Sequence, residues 1–169
     1  MQKSTSQFIL QTKNLSVGYK SKKKVTTVAN AINLTLKKGN LVCILGKNGI
    51  GKSTLLRTLS KVQPQLSGEI FLLEHKLENI PNEELAKKMS LVLTERIPDN
   101  NLTVYELIAL GRQPYTNWIG RLTEKDYTHI EKAIDETNIR NLIHKKHYEL
   151  SDGQIQKIMI AKSLAQNTE

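Results

Sequence analysis

An α/β fold is the expectation, and three observations carry it. The first part of the chain reads as short strands separated by turns. A continuous apolar run, Leu41-Val42-Cys43-Ile44-Leu45, leads straight into a glycine-rich turn and an amphipathic helix. From about residue 99 onward, apolar residues recur mainly at helical spacing.

The elements follow in order. Residues 8–19 alternate loosely, and residues 26–36 are β-branched and apolar, broken at Asn30 and ended by Lys37-Lys38-Gly39. Residues 41–45 suit a strand buried on both faces, with Cys43 as a small core residue. A helix over residues 52–60 places Leu55, Leu56 and Leu59 on one face, and residues 68–73 form a strand before a turn at Glu74-His75. Residues 82–88 form a short helix, and residues 90–94 a second apolar strand. A helix over 104–110 stops at Gly111. Residues 123–137 carry Tyr127, Ile130 and Ile134 at helical spacing, and Thr123-Glu124-Lys125-Asp126 has the form of a capping box with Asp in the Glu place. The last helix opens at Ser151, with Ile155, Ile158 and Met159 on one face. The expected organisation is one domain, with a strand-rich core over about 1–98 and a helical part over about 99–166.

Composition narrows the class without deciding it. At 169 residues, 38% hydrophobic and 24% charged, the chain suits an ordinary globular domain. One cysteine excludes an intrachain disulfide framework and fits a reducing compartment. No run approaches the roughly 20 apolar residues that span a bilayer, and Phe8-Ile9-Leu10 is too brief for a signal-peptide core. The net charge of +9 is spread along the chain, and aromatics, at 5%, do not interleave with the basic residues, so no nucleic-acid partner is expected. His144 and His147 share a face, but no carboxylate or cysteine completes a metal site, and both read as surface residues.

Chemistry concentrates first at Gly46-Lys47-Asn48-Gly49-Ile50-Gly51-Lys52-Ser53-Thr54, which fits G-x-x-x-x-G-K-[ST] at every fixed position. Glycines at 46, 49 and 51 let the backbone curl so that successive N–H groups face one anion, and the helix behind adds the positive end of its dipole. Asn48 lies within the turn. Lys52 is expected to reach the β- and γ-phosphates and the Ser53 hydroxyl to ligate Mg²⁺, with Thr54 completing the turn. This motif indicates a nucleoside triphosphate; kinases, GTPases, motors and transporters all use it.

Leu150-Ser151-Asp152-Gly153-Gln154 selects among those classes. It resembles the Leu-Ser-Gly-Gly-Gln signature of ABC-transporter ATP-binding subunits, with Asp152 as the one departure. Ser151 is a good N-cap, and Gly153 permits close backbone approach. The resemblance implies a P-loop core of ABC type, with an N-terminal antiparallel β part, a helical subdomain and, in this chain, an incomplete sheet. It implies ATP and Mg²⁺ as cofactors and a homodimer in which Ser151, Asp152, Gly153 and Gln154 face the γ-phosphate held by the opposite subunit. Asp152 sets a negative charge near that phosphate.

Tyr19 stands where the family places an aromatic stacked on adenine; its other reading is an ordinary strand tyrosine. Glu95 stands where most members have Gln, at a place that helps to hold Mg²⁺ and position water. Glu could also ligate Mg²⁺, so Glu95 is a candidate catalytic and metal residue beside Lys52. Leu102 to Tyr115, followed by Trp118, Ile119, Gly120, Arg121 and Asp126, resembles the subunits that drive import of iron-siderophores, haem and cobalamin. In those proteins this region docks a helix of the permease, and Tyr115 and Trp118 near Arg112 and Arg121 are interface residue types. The alternative for these side chains is packing within the helical part. Family members that act in DNA repair or translation carry other insertions and lack this pattern.

The resemblance implies a cytoplasmic subunit held to the inner face of the membrane by its permease. It covers residues 8–167, the front of the family's domain. In complete members a strand ending in Asp-Glu follows and supplies the water-polarising carboxylate. Ala133-Ile134-Asp135-Glu136 sits on an amphipathic helix and does not replace it. The expectation is an importer ATPase subunit cut short, deficient in hydrolysis and poorly stable by itself. The alternative is a non-catalytic nucleotide-binding or interaction fragment.

Overall fold

The computed structural model describes residues 8–92 and 101–168. It divides into two compact units, one up to Pro81 and one from Asn82. The expected boundary near residue 98 lies outside the described residues.

The first unit is an antiparallel sheet with one helix. β1 (Leu10–Lys20) pairs on one side with β2 (Val25–Ile32) and on the other with β3 (Thr35–Leu36) and β4 (Ser67–Leu72). β5 (His75–Lys76) extends the sheet beyond β4. The turn from β4 to β5 lies at Leu73 and Glu74, one residue earlier than expected. Both have positive φ, 48° and 70°, the mirror-image turn that matches the twist of a two-residue hairpin. β1 slips register between Lys13 and Ser16 against β4 and between Leu15 and Gly18 against β2. Each bulge interrupts the alternation, which buries Val17 and Gly18 in succession and turns Tyr19 outward. Leu10, Leu15, Val17, Ile70 and Leu72 form the inner face of the sheet, and α1 (Lys52–Leu59) packs against β1. The buried stripe of α1 is Thr54, Thr58 and Leu59, whereas Leu56 is exposed. The expected leucine face is therefore rotated, because both threonines have partners for their hydroxyls and can be buried: Thr58 donates to the Thr54 carbonyl one turn back, and the Thr54 hydroxyl meets that of Tyr19.

Residues 41–45 depart from expectation. They form no strand; Leu41 and Leu45 are 93% and 91% exposed, and Cys43 is exposed. An apolar run becomes a strand only where a neighbour completes its ladder, and among the described residues no strand pairs with it. Residues 90–92 likewise carry no strand, and 93–94 lie outside the described residues. With its side chain exposed, Cys43 is expected to react with an aromatic disulfide reagent in the native chain. A thiol that reacts only after denaturant is added would contradict this placement.

The second unit is helical. α2 (Asn82–Lys88) and α3 (Val104–Ala109) precede a tight helical segment, Leu110–Tyr115, followed by α4 (Glu124–Thr137) and α5 (Asp152–Gln166). The expected capping box on α4 is present: Thr123 Oγ1 accepts from the Asp126 N–H, and Asp126 accepts in return from the Thr123 N–H at 2.8 Å. The core joins Val104, Leu107 and Ile108 of α3, Ile130, Ala133 and Ile134 of α4, and Ile158, Ala161 and Ala165 of α5. Full burial of an aliphatic side chain is worth about 1.5–3 kcal/mol, so this cluster dominates the unit's stability. Small residues at 133, 161 and 165 let α4 and α5 approach closely. Gly111 serves the same end, since a Cβ there would overlap the Lys162 carbonyl oxygen of α5.

His147 is buried, at 5% exposure, against the expectation of a surface position, and Arg112, at 2%, follows the alternative of packing within the helical part. The chain just before His147 is drawn inward by backbone bonds from Val104 to the Lys145 carbonyl and from Tyr105 to the Ile143 carbonyl. His147 also meets the Tyr148 ring edge-on at 5.7 Å. His144 stays exposed. Among the described residues no helix is long and apolar enough to cross a membrane.

Candidate functional site

The glycine-rich turn of the first unit leads into α1, whose N-cap is Gly51 with φ 108°. An L side chain is strained there, and a Cβ would also overlap the Val28 methyl. Gly51 has no side chain with which to cap α1, so the N–H groups of its first turn can serve another acceptor. Lys52 folds back over the turn, and its Nζ donates to the carbonyls of Gly46 at 2.7 Å and Lys47 at 2.9 Å. Its ammonium thus lies within the curl of the loop, where an anion would find both it and the α1 N–H groups.

A cavity of about 310 Å³ opens beside this turn. Tyr19, Asn48, Gly49, Gly51, Lys52, Ser53 and Thr54 line it, all singled out from sequence; Gly46 contributes its carbonyl to Lys52 instead. Val28 lines it too and was missed, because only the strand pairing sets β2 beside the turn. The Tyr19 ring is half exposed, and its hydroxyl lies 3.0 Å from the Thr54 hydroxyl. An aromatic face and an aliphatic side chain at one end, and a lysine with free N–H groups at the other, suit a ligand with a flat ring and a phosphate chain. Mg²⁺ uses one or two protein oxygens beside substrate phosphates and water, and the exposed Ser53 hydroxyl in the cavity wall fits that demand. Glu95 lies outside the described residues.

The signature turn belongs to the second unit. Ser151 caps α5: its Oγ accepts from the Gln154 N–H, and Gln154 Oε1 accepts from the Ser151 N–H at 3.0 Å. Asp152 is exposed in the first turn, where the helix dipole favours its charge. Among the described residues, a Cβ on Gly153 would meet nothing within 4 Å. Packing among the described residues therefore does not require glycine at this place.

The opposite end of α5 is held by residues whose roles sequence reasoning missed. Arg112 Nε donates to Asp126 Oδ1 at 2.8 Å, and its Nη1 donates to the carbonyls of Ala165 at 2.9 Å and Gln166 at 3.1 Å. The guanidinium lies 4.0 Å from the Tyr115 ring centre. Burial raises the Asp126 pKa, but hydrogen bonds from Thr123 and Arg112 outweigh it and hold the carboxyl below its ordinary range. The signal available in sequence was an Arg near a capping-box Asp; that they meet depends on the fold. Tyr115 is half-buried against Arg112, whereas Trp118 is 93% exposed.

A family model described as "ABC transporter" matches residues 29–169. The chain belongs to this family. Among curated relatives, it is 43% identical over 158 residues to the ABC transporter ATP-binding protein MJ0873 of Methanocaldococcus jannaschii, an alignment spanning 94% of this chain and 53% of that protein. It is 32% identical to the iron(3+)-hydroxamate import ATP-binding protein FhuC of Bacillus subtilis, over 95% of this chain and 58% of that one. The chain thus spans between half and six-tenths of the length of these two ABC relatives. Among solved structures, the dimeric ATP-binding cassette MJ0796 in a post-hydrolysis state with ADP and Pi superposes with a TM-score of 0.77 at 25% identity, covering 94% of this chain and 70% of that one. The fold class expected from sequence is the ABC ATPase fold, seen here as an antiparallel sheet with a helical unit.

Proposed function

We propose that this chain is the nucleotide-binding front of an importer ATPase subunit that takes ATP with Mg²⁺. The observation that carries the reading is the cavity beside the glycine-rich turn, with Tyr19 at one end and Lys52 above uncapped N–H groups at the other. Tyr19 stacks on the base; Gly46, Asn48, Gly49, Gly51 and Thr54 shape the phosphate cradle; Lys52 takes the terminal phosphates; and Ser53 ligates Mg²⁺, with Glu95 as its companion. The open face at Gly153, with Ser151, Asp152 and Gln154, meets the phosphate of a second copy. Two relatives carry siderophore transport or iron(3+)-hydroxamate import in their names, which supports an iron chelate as cargo, within a class that also includes haem and cobalamin. The subunit then sits in the cytoplasm against a membrane permease, with exposed Trp118 and Ile119 on the docking side.

One observation favours the alternative, a fragment that binds nucleotide without turnover. No carboxylate is among the described residues that line the cavity, so none of them there can polarise an attacking water. Calorimetric titration of the chain with ATP, with Mg²⁺ present and then chelated, tests the shared reading, and phosphate release measured in parallel separates the two. Magnesium-dependent binding without turnover is the expected result for this chain. Turnover that depends on Lys52 would show that it carries its own catalytic carboxylate, and failure to bind ATP would reject both readings.

A further inference from the structure

Tyr19 and Thr54 are 35 residues apart and come from different elements, β1 and α1. Their hydroxyl oxygens lie 3.0 Å apart in a part-buried contact. Thr54 is 5% exposed, whereas the Tyr19 ring remains half exposed on the cavity wall. Stacking on a base needs only the ring. It gives no reason for the phenol oxygen to be held on a buried threonine of the phosphate-binding turn.

We propose that the Tyr19 hydroxyl is a positioning group for the phosphate side of the cavity. It donates to Thr54 Oγ1 and so leaves the Thr54 proton for a phosphate oxygen. The assignment rests on the nucleotide reading above and on hydroxyl chemistry. Each hydroxyl has one proton and two acceptor sites, and a phenol is a stronger donor than an aliphatic alcohol. With Tyr19 as donor, the two hydroxyls form a chain ending in an O–H directed at the ligand, and each bond in such a chain strengthens the next. The same bond fixes the ring before ligand arrives, which lowers the ordering cost of stacking. Tyr19 thereby links the ring-binding end of the cavity to its phosphate-binding end. The opposite assignment, Thr54 donating to Tyr19, would spend the threonine proton, and removal of the phenol oxygen would then release it for the ligand. The sign of one substitution separates the two.

The test is calorimetric titration of the full chain, wild type against Tyr19→Phe, Thr54→Val and the double variant, with ATP and with inorganic tripolyphosphate, which has no base. Tyr19→Phe is expected to weaken both ligands by roughly 2- to 10-fold, the range of one lost hydrogen bond. Thr54→Val should do the same, and the double variant should be no weaker than the weaker single one. Thr54→Ser keeps the hydroxyl and should bind as wild type, which guards against a change in packing. Unchanged or tighter ATP binding by Tyr19→Phe would overturn the proposal, and so would a loss confined to ATP. A wild-type chain that binds neither ligand would reject the nucleotide reading itself and the positioning role with it.

Discussion

Replacing Arg112 by alanine is expected to cost the helical unit about 3–5 kcal/mol, the range for breaking a buried ion pair by removing one partner. Both side chains are about 3% exposed, so water cannot replace the missing guanidinium. The substitution would leave the Asp126 carboxylate with only its Thr123 bonds and would strip a donor from the carbonyls of Ala165 and Gln166 at the end of α5. Loss of this size is a large share of a small unit's stability. Urea unfolding followed by far-UV circular dichroism measures it, and a change below about 1 kcal/mol, the scale of exposed pairs, would contradict the buried geometry. Replacing both residues, Arg112→Met with Asp126→Leu, should recover part of the loss, because an apolar pair of similar volume removes the unpaired charge. Recovery should be incomplete, since Asp126 also caps α4.

The pair also sets a direction for acid. The folded-state pKa of Asp126 is depressed, so its stabilising contribution is complete above the unfolded carboxylate value of about 3.9 and is lost as pH falls through the lower folded value. His129 adds a term of the same sign nearer neutrality. Burial, then the nearby Arg112 charge, lowers its pKa, so protonation favours the unfolded chain as pH falls below about 6.5. Asp126→Asn should therefore show a shallower loss of stability below about pH 4 than the wild type, and an equal slope would count against the ionised pair.

Lys52→Ala is expected to weaken ATP binding by roughly 10- to 150-fold, corresponding to about 1.5–3 kcal/mol for hydrogen bonds to a charged group. Folding should change little. The two carbonyls that Lys52 now engages are in an exposed loop, where water can take over from the ammonium. Binding lost at unchanged thermal stability is thus the signature of a ligand-contacting lysine. Equal affinity in the variant would mean that the cavity takes its ligand by another route. Arg112→Ala should do the reverse, lowering stability while leaving the residues that line the cavity intact.

Much of this protein was legible before any coordinates. The P-loop spacing, the Thr123–Asp126 box, the Ser151 cap and the limits of α2 depend on interactions between residues a few places apart, and local sequence carries them. The gathering of Tyr19 with the turn needed a longer reach; the resemblance pointed to it, and the fold places both on one cavity. What failed to read correctly has a common cause. Residues 41–45 have the composition of a buried strand, but burial requires neighbours on both sides, and periodicity records only the demand for them. His147 read as a surface residue because polarity predicts exposure on average, and Arg112 stayed open between an interface and internal packing, while partners distant in sequence decide the individual case. By itself, then, the sequence determined the local turns, caps and helix limits, together with the family. Tertiary structure alone decided which polar groups are buried and paired, that the Tyr19 hydroxyl meets Thr54, and that the apolar run before the phosphate turn lies open. Those outcomes depend on long-range contacts, whose energies no short stretch of sequence contains.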